Sequence, residues 1–274
     1  MRLPFSMKQE IVSMSAGKWA LVTGASSGIG KEFARLHAAR GGHLVIVARR
    51  EDALLALKDE LAADGQRIEV IVQDLAQPGA AASVFSATEA AGIQIDYLIN
   101  NAGFGGHGKF VERDTAADSR MIQVNITALT ELMHAYLPGM VARNSGRILN
   151  VSSTASMMPG PLQAVYYATK AYVTSMSQAV AEELADTNVT VSALCPGFVD
   201  TGFIEAGDLQ GVAALKDPKA AKSPVGVAEC GYEGMLRGEL ITFNDSQLKF
   251  MLNWVTPLLP RKQLLKMSKG LMEK

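Results

Sequence analysis

The sequence predicts an α/β fold: a doubly wound parallel sheet in a single domain. Three observations predict it. Short, continuously apolar runs recur along the chain, helical stretches separate them, and a glycine-rich turn follows directly on the first run. Strands apolar throughout, rather than alternating, belong to a sheet covered on both faces, and helical crossovers make such a sheet parallel. Of the 274 residues, 48% are apolar and 19% charged, which supports a sizeable core and argues against disorder.

In chain order, residues 19–22 read as the first strand, 30–39 as a helix, 43–48 as the second strand, followed by a helical stretch to Ala63. Further strands are expected at 68–72, 97–99, 147–151 and 189–194, with 240–243 a candidate seventh. No repeat or low-complexity linker divides the chain. The layout expected is a leader over 1–17, a catalytic domain over 18–246 and a C-terminal tail over 247–274. Met7 and Met14 are alternative starts within the leader.

Several function classes are set aside. A net charge of -1 does not fit a nucleic-acid binder. Cys195 and Cys230 show no CxxC spacing and no clustering with the four histidines, so no metal site is expected. The first sixteen residues lack a signal-peptide apolar stretch, and no run reaches the ~18 apolar residues of a membrane span. A soluble, cytoplasmic protein is expected.

Ligands of doubly wound sheets bind beyond the carboxyl ends of the strands, so residues just after strands are the candidates. After the first strand comes Thr23-Gly24-Ala25-Ser26-Ser27-Gly28-Ile29-Gly30. Its glycines let the backbone turn tightly against a diphosphate, and the following helix aims free N–H groups at that anion. The second strand ends at Arg49-Arg50. An acid there would favour the ribose hydroxyl of NAD. Arginine favours the 2′-phosphate of NADP, so NADP(H) is preferred over NAD(H).

Tyr166 and Lys170 stand at i and i+4 in a stretch that reads helical over 163–185, so they share a face. A phenol with an ordinary pKa of about 10 is a poor proton donor or acceptor at neutral pH, and a nearby ammonium lowers that value. Tyr166 could then exchange a proton with a carbonyl or alcohol oxygen. Ser152 and Ser153 end the fifth strand and offer a hydroxyl to the same oxygen. Tyr167 is the rival phenol, at the less usual spacing. An isolated Tyr-x-x-x-Lys match means little; the other elements in order give it weight.

The combination resembles the short-chain dehydrogenase/reductase family, in its short one-domain branch with a Rossmann fold, over residues 18–243. The resemblance implies that Gly24, Ser26, Ser27, Gly28, Ile29 and Gly30 form the cofactor turn. Asp74 and Leu75 would contact adenine. Asn101, Ala102 and Gly103, within Asn100-Asn101-Ala102-Gly103, would line the cofactor. Pro196, Gly197, Val199 and Thr201 would sit at the nicotinamide. It further implies a catalytic tetrad of Asn125, Ser153, Tyr166 and Lys170, with Asn125 holding a relay water, Ser152 a structural neighbour, and Lys170 also bonding the nicotinamide ribose. Homodimers or homotetramers through the helices carrying Asn125 and Tyr166 are implied as well.

Substrate contacts are expected from a lid over about 201–222. The apolar candidates Phe104, Met157, Met158 and Phe203 point to a small hydrophobic carbonyl or alcohol substrate. The tail mixes leucines, Phe250 and Trp254 with lysines and arginine, and Pro257 and Pro260 should break it into two helices. Packing of its apolar face on the domain or over the pocket is favoured; weak contact with a membrane surface is the alternative.

Overall fold

The structure, a computed structural model, describes residues 14–62, 65–217 and 220–274. Ala63 and most of the leader, Met7 included, therefore lie outside the described residues. Seven parallel strands form one sheet in the order β3-β2-β1-β4-β5-β6-β7. They are β1 (Trp19–Thr23), β2 (His43–Ala48), β3 (Ile68–Val72), β4 (Tyr97–Asn100), β5 (Gly146–Val151), β6 (Val189–Leu194) and β7 (Ile241–Thr242). The strand read at 240–243 is thus real but reduced to two residues. The helices between them are α1 (Gly28–Ala39), α2 (Glu51–Leu61), α3 (Ala80–Ala90), α4 (Thr115–Ile122), α5 (Leu129–Ala142), α6 (Ala164–Glu183), α7 (Phe203–Ala206) and α8 (Pro224–Leu236).

The pleat explains the apolar runs. Along β1 and β2, Ala20, Val22, Leu44 and Ile46 enter one core with Phe33 and Ala34 of α1 and Val227, Tyr232 and Met235 of α8. The alternate residues Leu21, Val45 and Val47 enter a second core with Val84 of α3, Leu132 and Met133 of α5, and Val173 of α6. Successive side chains point to opposite faces, and both faces are covered, so every position must be apolar. The order reverses at β1, which pairs with β2 on one side and β4 on the other. That switch point opens the crevice where such folds hold ligands.

One buried polar cluster sits at the opposite, amino end of the strands. His37 is fully buried; its Nδ1 lies 2.5 Å from the Tyr232 hydroxyl and its Nε2 2.9 Å from the Lys18 carbonyl. Burial holds its pKa down to about 4, from an ordinary 6.5. The unfolded chain takes up this proton as pH falls through 6.5, the folded one only near 4, so stability is lost across that window. Between about pH 6.5 and pH 4.5 the loss from this group should be about 2–3 kcal/mol. Urea titrations of His37→Gln should show that much less acid destabilisation over the same range than the wild type; equal slopes would refute it.

Beyond β7 the tail continues as α9 (Ser246–Phe250), a π turn over Met251–Val255, a 3₁₀ turn over Thr256–Leu258, and α10 (Arg261–Met272). The chain breaks at Leu259-Pro260, where the imino ring cannot continue the helix. Leu264, Ser268 and Met272, one face of α10, are buried. The end of the tail is tied to the domain: His107 Nε2 lies 2.7 Å from the Met272 carbonyl, and Ala213 N–H donates to the Glu273 carbonyl at 2.8 Å. Lys274 pairs with Asp208 at 2.7 Å. The tail therefore packs on the domain and straps the segment after Thr201.

Candidate active site

A cavity of ≈710 Å³ runs along the carboxyl ends of β1, β4 and β5. That size suits a cofactor or small ligand. Of the six residues singled out for the cofactor turn, Gly24, Ser26, Ser27, Gly28 and Ile29 line it and Gly30 does not. Gly28 has φ +56°, and a Cβ there would stand 3.0 Å from Thr201 Cγ2, so the turn and Thr201 are in close contact. At Gly30 a Cβ would collide with the Gly24 carbonyl and the Asn101 side chain. Gly30→Ala should therefore cost about 2–3 kcal/mol and loosen the turn. Urea unfolding with a nucleotide titration checks this; wild-type stability and affinity would show that the turn has slack.

The residues present fit a dinucleotide. Ser27, at the head of α1, makes no side-chain capping bond, leaving that helix end open towards the cavity. Arg50 reaches across to this turn, its Nη2 donating to Ser26 Oγ at 3.1 Å and to the Ser26 carbonyl at 3.2 Å. Arg49 lines the same end of the cavity. These donors suit a phosphate, and the acids next in sequence, Glu51 and Asp52, start α2 and do not line the cavity.

β4 and its following loop are locked to β1. Thr23 Oγ1 accepts from Asn101 N–H and Ala102 N–H, both at 3.0 Å, and the Asn101 side chain donates to the Thr23 carbonyl at 2.9 Å. Asn100 donates to Asn150 of β5 at 2.9 Å, a buried tie between neighbouring strands. Asp74 and Leu75 line the cavity beyond β3, and the Asp74 carboxylate accepts from Ala76 N–H and the Gln77 side chain, at 3.1 and 3.2 Å. Asp74 is thus a turn-capping residue as well as a wall of the site.

Asn125 lies on a π turn over Gln123–Ala128 between α4 and α5. Such one-turn insertions re-aim side chains that a regular helix would misplace. Its side chain accepts from Phe104 N–H at 3.1 Å and donates to the Phe104 carbonyl at 3.0 Å and to Thr169 Oγ1 at 3.1 Å. A Cβ on Gly103 would stand 3.1 Å from Asn125 Oδ1 and 3.4 Å from Lys170 Nζ, so the backbone there passes close to both side chains.

Ser152 and Ser153 separate cleanly. Ser152 Oγ donates to the Lys170 carbonyl at 3.0 Å and meets Thr174 Oγ1 at 2.6 Å, fastening α6 to β5. Ser153 faces the cavity, accepts from Ala155 N–H at 3.1 Å and donates to the Pro196 carbonyl at 3.4 Å. Lys170 Nζ donates to the Val151 carbonyl at 2.8 Å and lies 5.8 Å from the Tyr166 ring centroid. The Tyr166 ring packs on Phe203 at 5.4 Å. Tyr167 also touches the cavity, but its ring is covered by Gly160.

The electrostatics correct one expectation. The Lys170 charge was expected to lower the Tyr166 pKa. Burial instead pushes the phenol well above its usual value, with the Ser153 hydroxyl opposing only in part. Burial also pulls Lys170 down to about 8. The physical reason is placement: the ammonium is spent on the Val151 carbonyl, inside a dry wall where either charged form is disfavoured. At neutral pH the buried phenol therefore stays protonated.

Pro196, Gly197, Val199 and Thr201 line the cavity after β6. Val199 bridges to Lys222, so the segment over 201–222 leaves and returns at one point. Two expected apolar contacts are misplaced. Met157 and Met158 line a separate groove against α6, Arg261 and Leu265, although Met158 also packs on the cluster that holds Tyr166 and Tyr167. The wall is made by Phe104, Phe203, Ile204 and Leu209 instead. Sequence reasoning also missed Gln163, which is buried in the cavity wall with its Nε2 unpartnered. Nothing but its position, one turn before Tyr166, could have pointed to it.

A doubly wound sheet with a glycine turn at its switch point defines the dinucleotide-binding class of α/β proteins. The family model described as short chain dehydrogenase matches residues 18–208. The chain belongs to that family of oxidoreductases. It is 36% identical to a short chain dehydrogenase of Pseudocercospora fijiensis over 187 residues, which span 68% of this chain and 60% of that protein. A short-chain dehydrogenase from Sphingobium yanoikuyae, solved in complex with NADPH, superposes with a TM-score of 0.76 at 33% identity, covering 82% of this chain and 87% of the other. The structure of a 7β-hydroxysteroid dehydrogenase superposes with a TM-score of 0.82 at 28% identity, covering 94% and 98%.

Proposed function

We propose that the protein interconverts a carbonyl and an alcohol with NADP(H), on a small, mainly apolar substrate. The observation that carries this reading is the convergence of Ser153, Tyr166 and Lys170 on one cavity whose far end holds Arg49, Arg50 and Ser26. The nicotinamide, when bound, supplies or accepts the hydride. Ser153 Oγ and Tyr166 Oη hydrogen-bond the substrate oxygen and so fix the orientation of the carbonyl group. Tyr166 gives its proton to that oxygen in reduction and takes it back in oxidation. Lys170 orients the phenol and bonds the ribose. Asn125 fixes Phe104 and the loop beside it. Phe203 and Leu209 exclude water from the oxygen.

The NADPH-bound relative from Sphingobium and the hydroxysteroid dehydrogenase support this reading, since each pairs the fold with such a substrate or cofactor. Gln163 offers a spare amide donor for a polar group on the substrate. A panel of ketones, aldehydes and 3-oxoacyl thioesters with NADPH, followed by its absorbance, tests the proposal; no turnover of any carbonyl would remove its support. A cytoplasmic homodimer or homotetramer, joined through the helical segments carrying Asn125 and Tyr166, completes the reading, and light scattering would check its size.

A further inference from the structure

The tail carries a surface that the active site does not use. Phe250, Trp254 and Leu258 are 61%, 69% and 84% exposed, and they stand on the side opposite the buried Leu252 and Thr256. On α10, Lys262, Lys266 and Lys269 recur at i, i+4 and i+7, on the side away from the buried Leu264, Ser268 and Met272. Lys262 and Lys266 make no ion pair among the described residues. Residues 247–274 hold six basic side chains against the single acid Glu273, in a chain whose net charge is -1. The tail is therefore strongly cationic and the rest of the chain anionic.

We infer that this segment docks on an anionic lipid surface, Trp254, Phe250 and Leu258 entering the interface while the lysines meet the headgroups. Aromatic and leucine side chains beside a lysine cluster are the composition such a surface attracts. Among the described residues, no helix is long and apolar enough to cross a membrane, so the contact is peripheral. A second copy of the chain fits this surface less well. A two-fold interface would set one cationic tail against another, and like charges oppose that. The inner side of the same segment packs on the domain, with Leu248 against Gly197 of the cavity wall and Lys274 on Asp208. This inference does not depend on the proposed reaction, because its readout is binding.

The test is co-sedimentation of the full chain with vesicles of phosphatidylcholine alone and of phosphatidylcholine with phosphatidylglycerol at three to one. Trp254 reports directly, because the other tryptophan, Trp19, is buried at 8% exposure. The protein should pellet with the anionic vesicles and shift its emission to the blue. The double variant Trp254→Ser, Leu258→Ser and the triple variant Lys262→Gln, Lys266→Gln, Lys269→Gln should each bind roughly tenfold or more weakly. Circular dichroism and size-exclusion chromatography of the variants check that they fold. Failure to pellet with anionic vesicles, equal pelleting with both vesicle types, or full binding by either folded variant would overturn the inference. So would a smaller assembly in the Trp254 variant, which would assign the surface to self-association.

Discussion

Tyr166→Phe is expected to lower kcat for carbonyl reduction by about 10²- to 10⁴-fold, the range that one general acid contributes. The hydroxyl is what is lost; the ring keeps its packing on Phe203 and its place beside Lys170. NADPH affinity and thermal stability should therefore stay close to wild type. Steady-state kinetics with a nucleotide titration separates the two effects. Full activity in this variant would sink the proposed proton transfer. The Lys170 ammonium, held near 8 by burial, adds a pH signature: its charged form is lost as pH rises through about 8. Activity that needs the ammonium should fall above that value, and Lys170→Met should abolish the limb.

Replacing the arginines at the end of β2 carries the second large effect. Arg50 already hydrogen-bonds Ser26, which holds its guanidinium beside the glycine turn, where the proposed reading needs a donor for a 2′-phosphate. A charge-assisted hydrogen bond of about 1.5–3 kcal/mol corresponds to roughly 10- to 100-fold in affinity. Arg50→Asp and Arg49→Asp should each move the NADPH/NADH ratio of kcat/KM towards NADH by about that factor. Arg50 should have the larger effect, because it is the one tied to the turn. An unchanged ratio in both variants would refute the 2′-phosphate argument and leave the choice of nucleotide to other contacts.

The sheet was legible because a doubly covered strand has no polar face, so β1 and β2 announce themselves as apolar runs. The helices α3, α4 and α5 did not announce themselves. Their mean character is small and mixed, and Pro138 sits inside α5. The glycine turn and Tyr166 with Lys170 could be read from spacing, because local geometry fixes them. The state of Tyr166 could not, since it depends on burial by Phe203 and on the Val151 carbonyl, both distant in sequence. The same limit explains Met157 and Met158: composition suggested a pocket, but only the path of the backbone decides which one. Gln163 was hidden for the same reason.

The strand order has a consequence for how the chain reaches this state. β1 lies inside the sheet, yet its neighbour β4 follows only after β2, β3 and the helices between them have been made. Until β4 docks, one edge of β1 exposes unpaired backbone groups flanked by apolar side chains on both faces, the condition that invites aggregation. Thr23 gains the N–H groups of Asn101 and Ala102 only at that step. A fragment ending before Tyr97 should therefore collapse without a formed nucleotide turn, and the turn itself should be a late event in refolding.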